Sequence, residues 1–108
     1  MAQVNNSIGE APDRAALAAD ARALVRRGLK ASLATLAASS GHPYASLITV
    51  ATDSEGRPAF LISTLAQHTR NLAHDARASI LFDGTGSAGD PLQGARVTLI
   101  GRAEKTDA

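Results

Sequence analysis

Apolar positions change period twice along this chain, and the changes divide it into elements. Over residues 12–27 Leu17, Ala21, Leu24 and Val25 recur at helical spacing and form one stripe. Pro12 suits a first turn, Asp13 the positive end of a helix dipole, Arg26 and Arg27 its negative end, and Gly28 a stop. A helix is predicted there. From Ala31 to Ala37 the pattern alternates in part, and Ser39–Pro43 punctuates it as a turn. Tyr44–Thr52, rich in β-branched residues, is the most strand-like segment. Asp53–Gly56 reads as a hairpin turn leading through Pro58 into a third strand over Ala59–Thr64.

After that strand the helical period returns. Thr64 with Gln67 matches a capping box, so a second helix is predicted to begin at Thr64. Its spacing carries Leu65, Thr69, Leu72, Ala73 and Ala76 toward one side and Gln67, Arg70, Asn71 and His74 toward the other. Ser79–Asp83 is apolar enough for a fourth strand, and a Gly-rich loop follows. Ala95–Lys105 reads as a closing strand with Gly101 as a bulge or kink. Short strands with one connecting helix predict an α+β chain, mainly β: a small antiparallel barrel with an N-terminal helix, not a βαβ sheet. Residues 1–11 are polar and read as a flexible tail, leaving 12–108 as a single domain.

Composition narrows the chemistry. Of the 108 residues 44% are hydrophobic but only 3% aromatic, so small and aliphatic side chains must build the core. A core of that kind in so short a chain leaves room for help from a partner subunit or a bound cofactor. The net charge of +1 gives no general pull toward nucleic acid or membrane. Its basic residues are mostly arginine, which suits forked contacts to phosphate or carboxylate. Without cysteine there is no disulfide, thiolate nucleophile or thiolate metal site. The first residues show no charged start followed by an apolar run, and no apolar stretch approaches the length of a membrane helix, so a soluble, cytoplasmic protein is expected.

Candidate chemistry gathers at the junction of the third strand and second helix. Free N–H groups at a helix start attract an anion, and Ser63, Thr64, His68, Thr69 and Arg70 crowd around them with hydroxyl, imidazole and guanidinium donors. The same hydroxyls also suit plain capping, and Arg70 a solvated outer face. Gly84, Gly86 and Gly89 match a dinucleotide fingerprint, but Asp90-Pro91 stands where a helix must open and too little chain remains for the crossover. His68, His74 and Asp75 do not share one helical face cleanly, so hydrogen-bonding histidines are expected and no metal site.

Taken together, PYASLITVATDSEGRP, ISTLAQHTRNLAHDARASILF and ARVTLIGRAE resemble the FMN-binding split-barrel family related to pyridoxamine 5′-phosphate oxidase, in particular its haem-utilisation branch. The resemblance implies a split β-barrel that binds FMN as a homodimer, acting as a flavin-dependent oxidoreductase. A non-enzymatic flavin- or haem-binding module is the alternative. It assigns Ser46 and the backbone of Leu47, Ile48 and Thr49 to the flavin ring and ribityl chain, and Ser63, Thr64, His68, Thr69 and Arg70 to the phosphate. Arg96 matches a polar position that approaches the flavin, often across a dimer interface. Two positions depart: the oxidase has an arginine in place of Ser46 and a lysine near His68. The family also continues beyond residue 108 with helix and strand that complete the barrel.

Overall fold

Asp13 opens the first helix in the computed structural model, which describes residues 13–86, 89–90 and 94–106. Its carboxylate accepts from the N–H groups of Ala15 at 3.0 Å and Ala16 at 3.3 Å, so it caps α1 (Arg14–Arg27) directly. The expected Pro12 start lies outside the described residues. Only the C-terminal part of the predicted stripe reaches the core: Leu24 and Val25 are buried, whereas Leu17 is 54% exposed. Gly28 does end α1, but in extended backbone (φ −66°, ψ 129°), so it is not there for a left-handed turn. A Cβ at Gly28 would stand 2.7 Å from Cδ2 of Phe82, and glycine is required by this close approach.

Among the described residues five strands follow: β1 (Lys30–Leu36), β2 (Pro43–Thr52), β3 (Pro58–Phe60), β4 (Arg77–Asp83) and β5 (Arg96–Arg102). They form one antiparallel sheet in the order β3-β2-β1-β4-β5, with α2 (Gln67–His74) connecting β3 to β4. The sheet curls into a half-barrel, the predicted α+β split-barrel class. Alternation sorts the strands: Ala31, Leu33, Ile48, Val50, Ile80 and Phe82 face inward with Leu24 and Val25 as the buried core. α1 packs against β2, β4 and β5, and α2 lies on β1.

Three predicted boundaries move, each for a physical reason. β3 stops at Phe60 because Ile62 turns into the core and Ser63 starts a turn, with its carbonyl accepting from Ala66 at 3.2 Å. The capping box does not form: α2 begins at Gln67 after Ala66, without a side-chain cap, and Thr64 lies in the preceding turn. β5 runs through Gly101 with no bulge, since Gly101 faces Ala78 in unbroken register between the Arg77–Arg102 and Ser79–Ile100 pairs. Gly84 serves packing: its N–H donates to Ala95 O at 2.7 Å, and a Cβ there would be 2.7 Å from Leu24 Cδ1. The rest of the Gly-rich segment lies partly outside the described residues.

Candidate functional site

The early end of β3 exposes part of its neighbour. Val50 donates its N–H toward the β1 side, to Leu29 O at 3.0 Å. Backbone groups of successive residues in a central antiparallel strand point to alternate neighbours, so those of Leu47 and Thr49 point the other way. On that side β3 pairs only with Val50, Ala51 and Thr52. β3's ladder ends at the Val50–Phe60 pair, so the N–H and C=O groups of Leu47 lie beyond it and point toward the segment leading to α2. Ser46, facing inward beside Leu33, closes this row at its other end.

Ser46 is joined to α2 directly. Its Oγ lies 2.9 Å from Nδ1 of His68, so β2 and the first turn of α2 share a hydrogen bond and Nδ1 is committed to it. The neighbouring side chains of that turn are also engaged. Thr69 Oγ1 donates to the Ser63 carbonyl, and Ser63 Oγ accepts from the Leu65 N–H at 3.1 Å. The Arg70 guanidinium donates to Leu65 O at 2.9 Å and to Gln67 Oε1 at 2.7 Å. Ser63, Thr69 and Arg70 thus share the turn that leads into α2, and His68 stands beside Ser46. The first amides of α2 carry no side-chain cap, although the Thr69 N–H donates to Ala66 O at 3.2 Å. Leu47, Leu61 and Leu65 flank this corner at 67%, 90% and 82% exposure.

Asn71 was expected on the outer side of α2, yet it is fully buried. Its Nδ2 donates to Thr35 Oγ1 at 3.0 Å, and its Oδ1 accepts from the Ala38 N–H at 3.0 Å and from Gln67 Nε2 at 2.8 Å. The helix is pinned to the end of β1 through these bonds. Two signals in the sequence pointed to it. Gln67 and Asn71 have i,i+4 spacing, and Thr35 interrupts the apolar inward positions Ala31 and Leu33.

Arg96 is not part of this cluster. The row Ser46–Leu33–Ile80–Leu99 crosses the sheet from β2 to β5, and Arg96 stands three residues further along β5, opposite Asp83. With strands ~4.8 Å apart, Arg96 lies roughly 15 Å or more from Ser46 across the sheet. Asp83 is held below the usual carboxylate range chiefly by hydrogen bonds from Thr85, with Arg96 adding a smaller attraction. At the other end of α2, hydrogen bonds from Arg77 hold the Asp75 carboxyl well below that range. Among the described residues no group of three His, Asp or Glu side chains converges as a metal site.

Two clefts open on the α1 side. One, of about 250 Å³, is lined by Ala21, Val25, Pro58 and Leu99, and the other, of about 330 Å³, by Leu24, Leu29 and Gly84. Neither includes the Ser46–Arg70 cluster, which forms a ledge of β2 and the start of α2. No helix is long and apolar enough to cross a membrane among the described residues.

The family model for pyridoxamine 5′-phosphate oxidase matches residues 17–108. A heme-binding protein from Mycobacterium smegmatis is similar to the chain at 37% identity and a TM-score of 0.71, over 93% of this chain and 39% of that one. A protein of unknown function from Agrobacterium tumefaciens, Atu2129, shows 35% identity and a TM-score of 0.72 over 92% and 42%. The heme storage protein HutZ from Vibrio cholerae shows 25% identity and a TM-score of 0.67 over 81% and 61%. The chain thus spans less than two thirds of the length of each of these structures. No curated protein matches it.

Proposed function

From the chain's membership of the pyridoxamine 5′-phosphate oxidase family, we propose that it binds FMN on the ledge formed by β2 and the start of α2, as part of a flavin-dependent oxidoreductase. The observation that carries this reading is the Leu47 backbone, beyond the last β3 pair, beside a helix start without a side-chain cap. The N–H and C=O of Leu47 at this strand edge suit a ring whose edge alternates donors and acceptors, as the flavin pyrimidine edge does. The α2 amides, with Thr64 and His68, suit a phosphate at the far end of the same ligand. The exposed Leu47, Leu61 and Leu65 supply apolar cover for the ring.

When bound, FMN supplies the redox chemistry. The chain's residues bind it, orient it through β2, and exclude water from one side of the ring. Arg96 acts in this scheme from a second copy of the chain, since its own ledge is out of reach. A cation there favours negative charge developing on the ring.

Haem is the second reading, favoured by the 37% identity with a heme-binding protein. Its macrocycle has no alternating polar edge to match the Leu47 backbone, and for that reason flavin ranks first. Titration with FMN, followed by quenching of flavin fluorescence, separates the two. Saturable quenching at one FMN per chain is expected. The double substitution Thr69→Ala, Arg70→Ala is expected to weaken FMN by more than about tenfold, because it removes the hydrogen bonds that shape the phosphate corner. An absence of saturable quenching, together with a Soret band on haem addition, overturns the flavin reading in favour of haem.

A further inference from the structure

We propose that Arg70 is a positioning residue, a strap that holds the anion-binding turn in shape, and that its guanidinium is not spent on the ligand's phosphate. The proposal deepens the cofactor reading above and rests on it only for the ligand.

Several bonds lead from Arg70 into the core in one continuous path. The guanidinium bridges Leu65 O at 2.9 Å and Gln67 Oε1 at 2.7 Å. Because a guanidinium only donates, Gln67 must accept with Oε1 and donate with Nε2, which reaches Asn71 Oδ1 at 2.8 Å. The Ala38 N–H donates to the same Oδ1, so Asn71 is left to donate through Nδ2 to Thr35 Oγ1. Each amide in the path therefore has one allowed orientation. Arg70 and Leu65 are exposed, whereas Asn71 is fully buried. An exposed turn is thereby tied to an anchor at the end of β1.

The turn so tied is the one that delivers the anion site. Ser63, Leu65 and Ala66 set the direction in which the first amides of α2 point, and Thr69 fastens the same turn from the other side through the Ser63 carbonyl. A guanidinium suits this task because its rigid fork meets two acceptors at once, which an ammonium on a flexible stem does not. Its charge still lies beside the helix start, where it adds to the local positive potential without a direct contact.

The test uses the whole chain and begins without ligand. Amide-proton exchange at Leu65 and Ala66, read by NMR, is expected to rise about fivefold in Arg70→Ala, with the amides of β1 and β4 unchanged. Arg70→Lys is expected to behave like Arg70→Ala. In FMN titrations Arg70→Ala and Gln67→Ala are each expected to weaken binding about fivefold, and the double variant by no more than about twofold beyond either, because both cut one path. Unchanged exchange in Arg70→Ala overturns the strap. So does a large loss of FMN affinity in Arg70→Ala with Gln67→Ala at the wild-type value, which marks a direct phosphate contact. If the wild type takes up no FMN, the cofactor reading falls, and the exchange rates alone decide for or against the strap.

Discussion

Asn71 shows how much one side chain can specify. An amide buried without partners costs more than its bonds return, so a buried asparagine persists where every donor and acceptor is met. Here Thr35, Ala38 and Gln67 meet them, and Thr35 Oγ1 also reaches Tyr44 O at 3.5 Å. The group therefore fixes where α2 sits on β1, and through α2 where His68 stands against Ser46. Asn71→Ala removes the amide, leaves the Ala38 N–H unpaired and opens a void. A loss of about 2–4 kcal/mol in unfolding free energy by urea denaturation is expected, the sum of an orphaned buried donor and a small cavity. A loss under about 0.5 kcal/mol, the range of ordinary surface changes, would show that the network does not anchor the helix.

At the scale of elements, the junction of α2 and β4 depends on pH. Asp75 caps the end of α2, accepts from the Arg77 backbone N–H at 3.1 Å, and pairs with the Arg77 guanidinium at 2.7 Å as β4 begins. The side-chain hydrogen bond from Arg77 is the largest cause of the lowered Asp75 pKa. A carboxyl lowered by folding stabilises the fold above its unfolded pKa, and that contribution fades as pH falls through the folded value. The stability difference between wild type and Asp75→Asn is therefore expected to be constant from neutral pH down to about pH 4–5 and to shrink below it, since an unfolded Asp titrates near 3.9. Urea denaturation across this range measures it, and a difference that persists unchanged into strong acid overturns it. The elements themselves were largely legible in the sequence. Periodicity located α1, β1, β2 and β4 within a few residues, because each has a clear inward face. It failed where burial overrode local pattern. β-branched residues over 59–64 promised a long third strand, but Ile62 packs into the core and the strand ends at Phe60. Thr64 and Gln67 had the right spacing for a cap, yet Gln67 is drawn to Asn71 and Arg70. The Ser63–Arg70 cluster was readable from residue types at a helix start. The strand edge at Leu47 was not, because it arises from a neighbouring strand that stops early.

At the scale of the whole molecule, the outer face of the sheet carries no charged side chain in its two middle rows among the described residues. Strand register sets Leu47, Ser32, Leu81 and Thr98 in one row and Ala45, Ala34, Ser79 and Ile100 in the next. Leu47, Leu81 and Ile100 are 67%, 39% and 86% exposed, an apolar patch of the kind that marks an interaction surface. A second copy presents the same uncharged rows, so a two-fold pairing would cover both patches at once. Such a pairing would also bring Arg96, which lies on β5 away from Ser46 of its own chain and near the same outer face, toward the partner. Ile100→Glu places a charge in the middle of this face while leaving the inward core untouched. By sedimentation velocity the wild type is expected to run as a dimer and Ile100→Glu as a monomer, with FMN affinity falling in the same variant because the partner's half of the pocket is lost. A dimer that survives Ile100→Glu would place the interface elsewhere, and a wild type that sediments as a monomer even when saturated with FMN would leave Arg96 without a route to the ring.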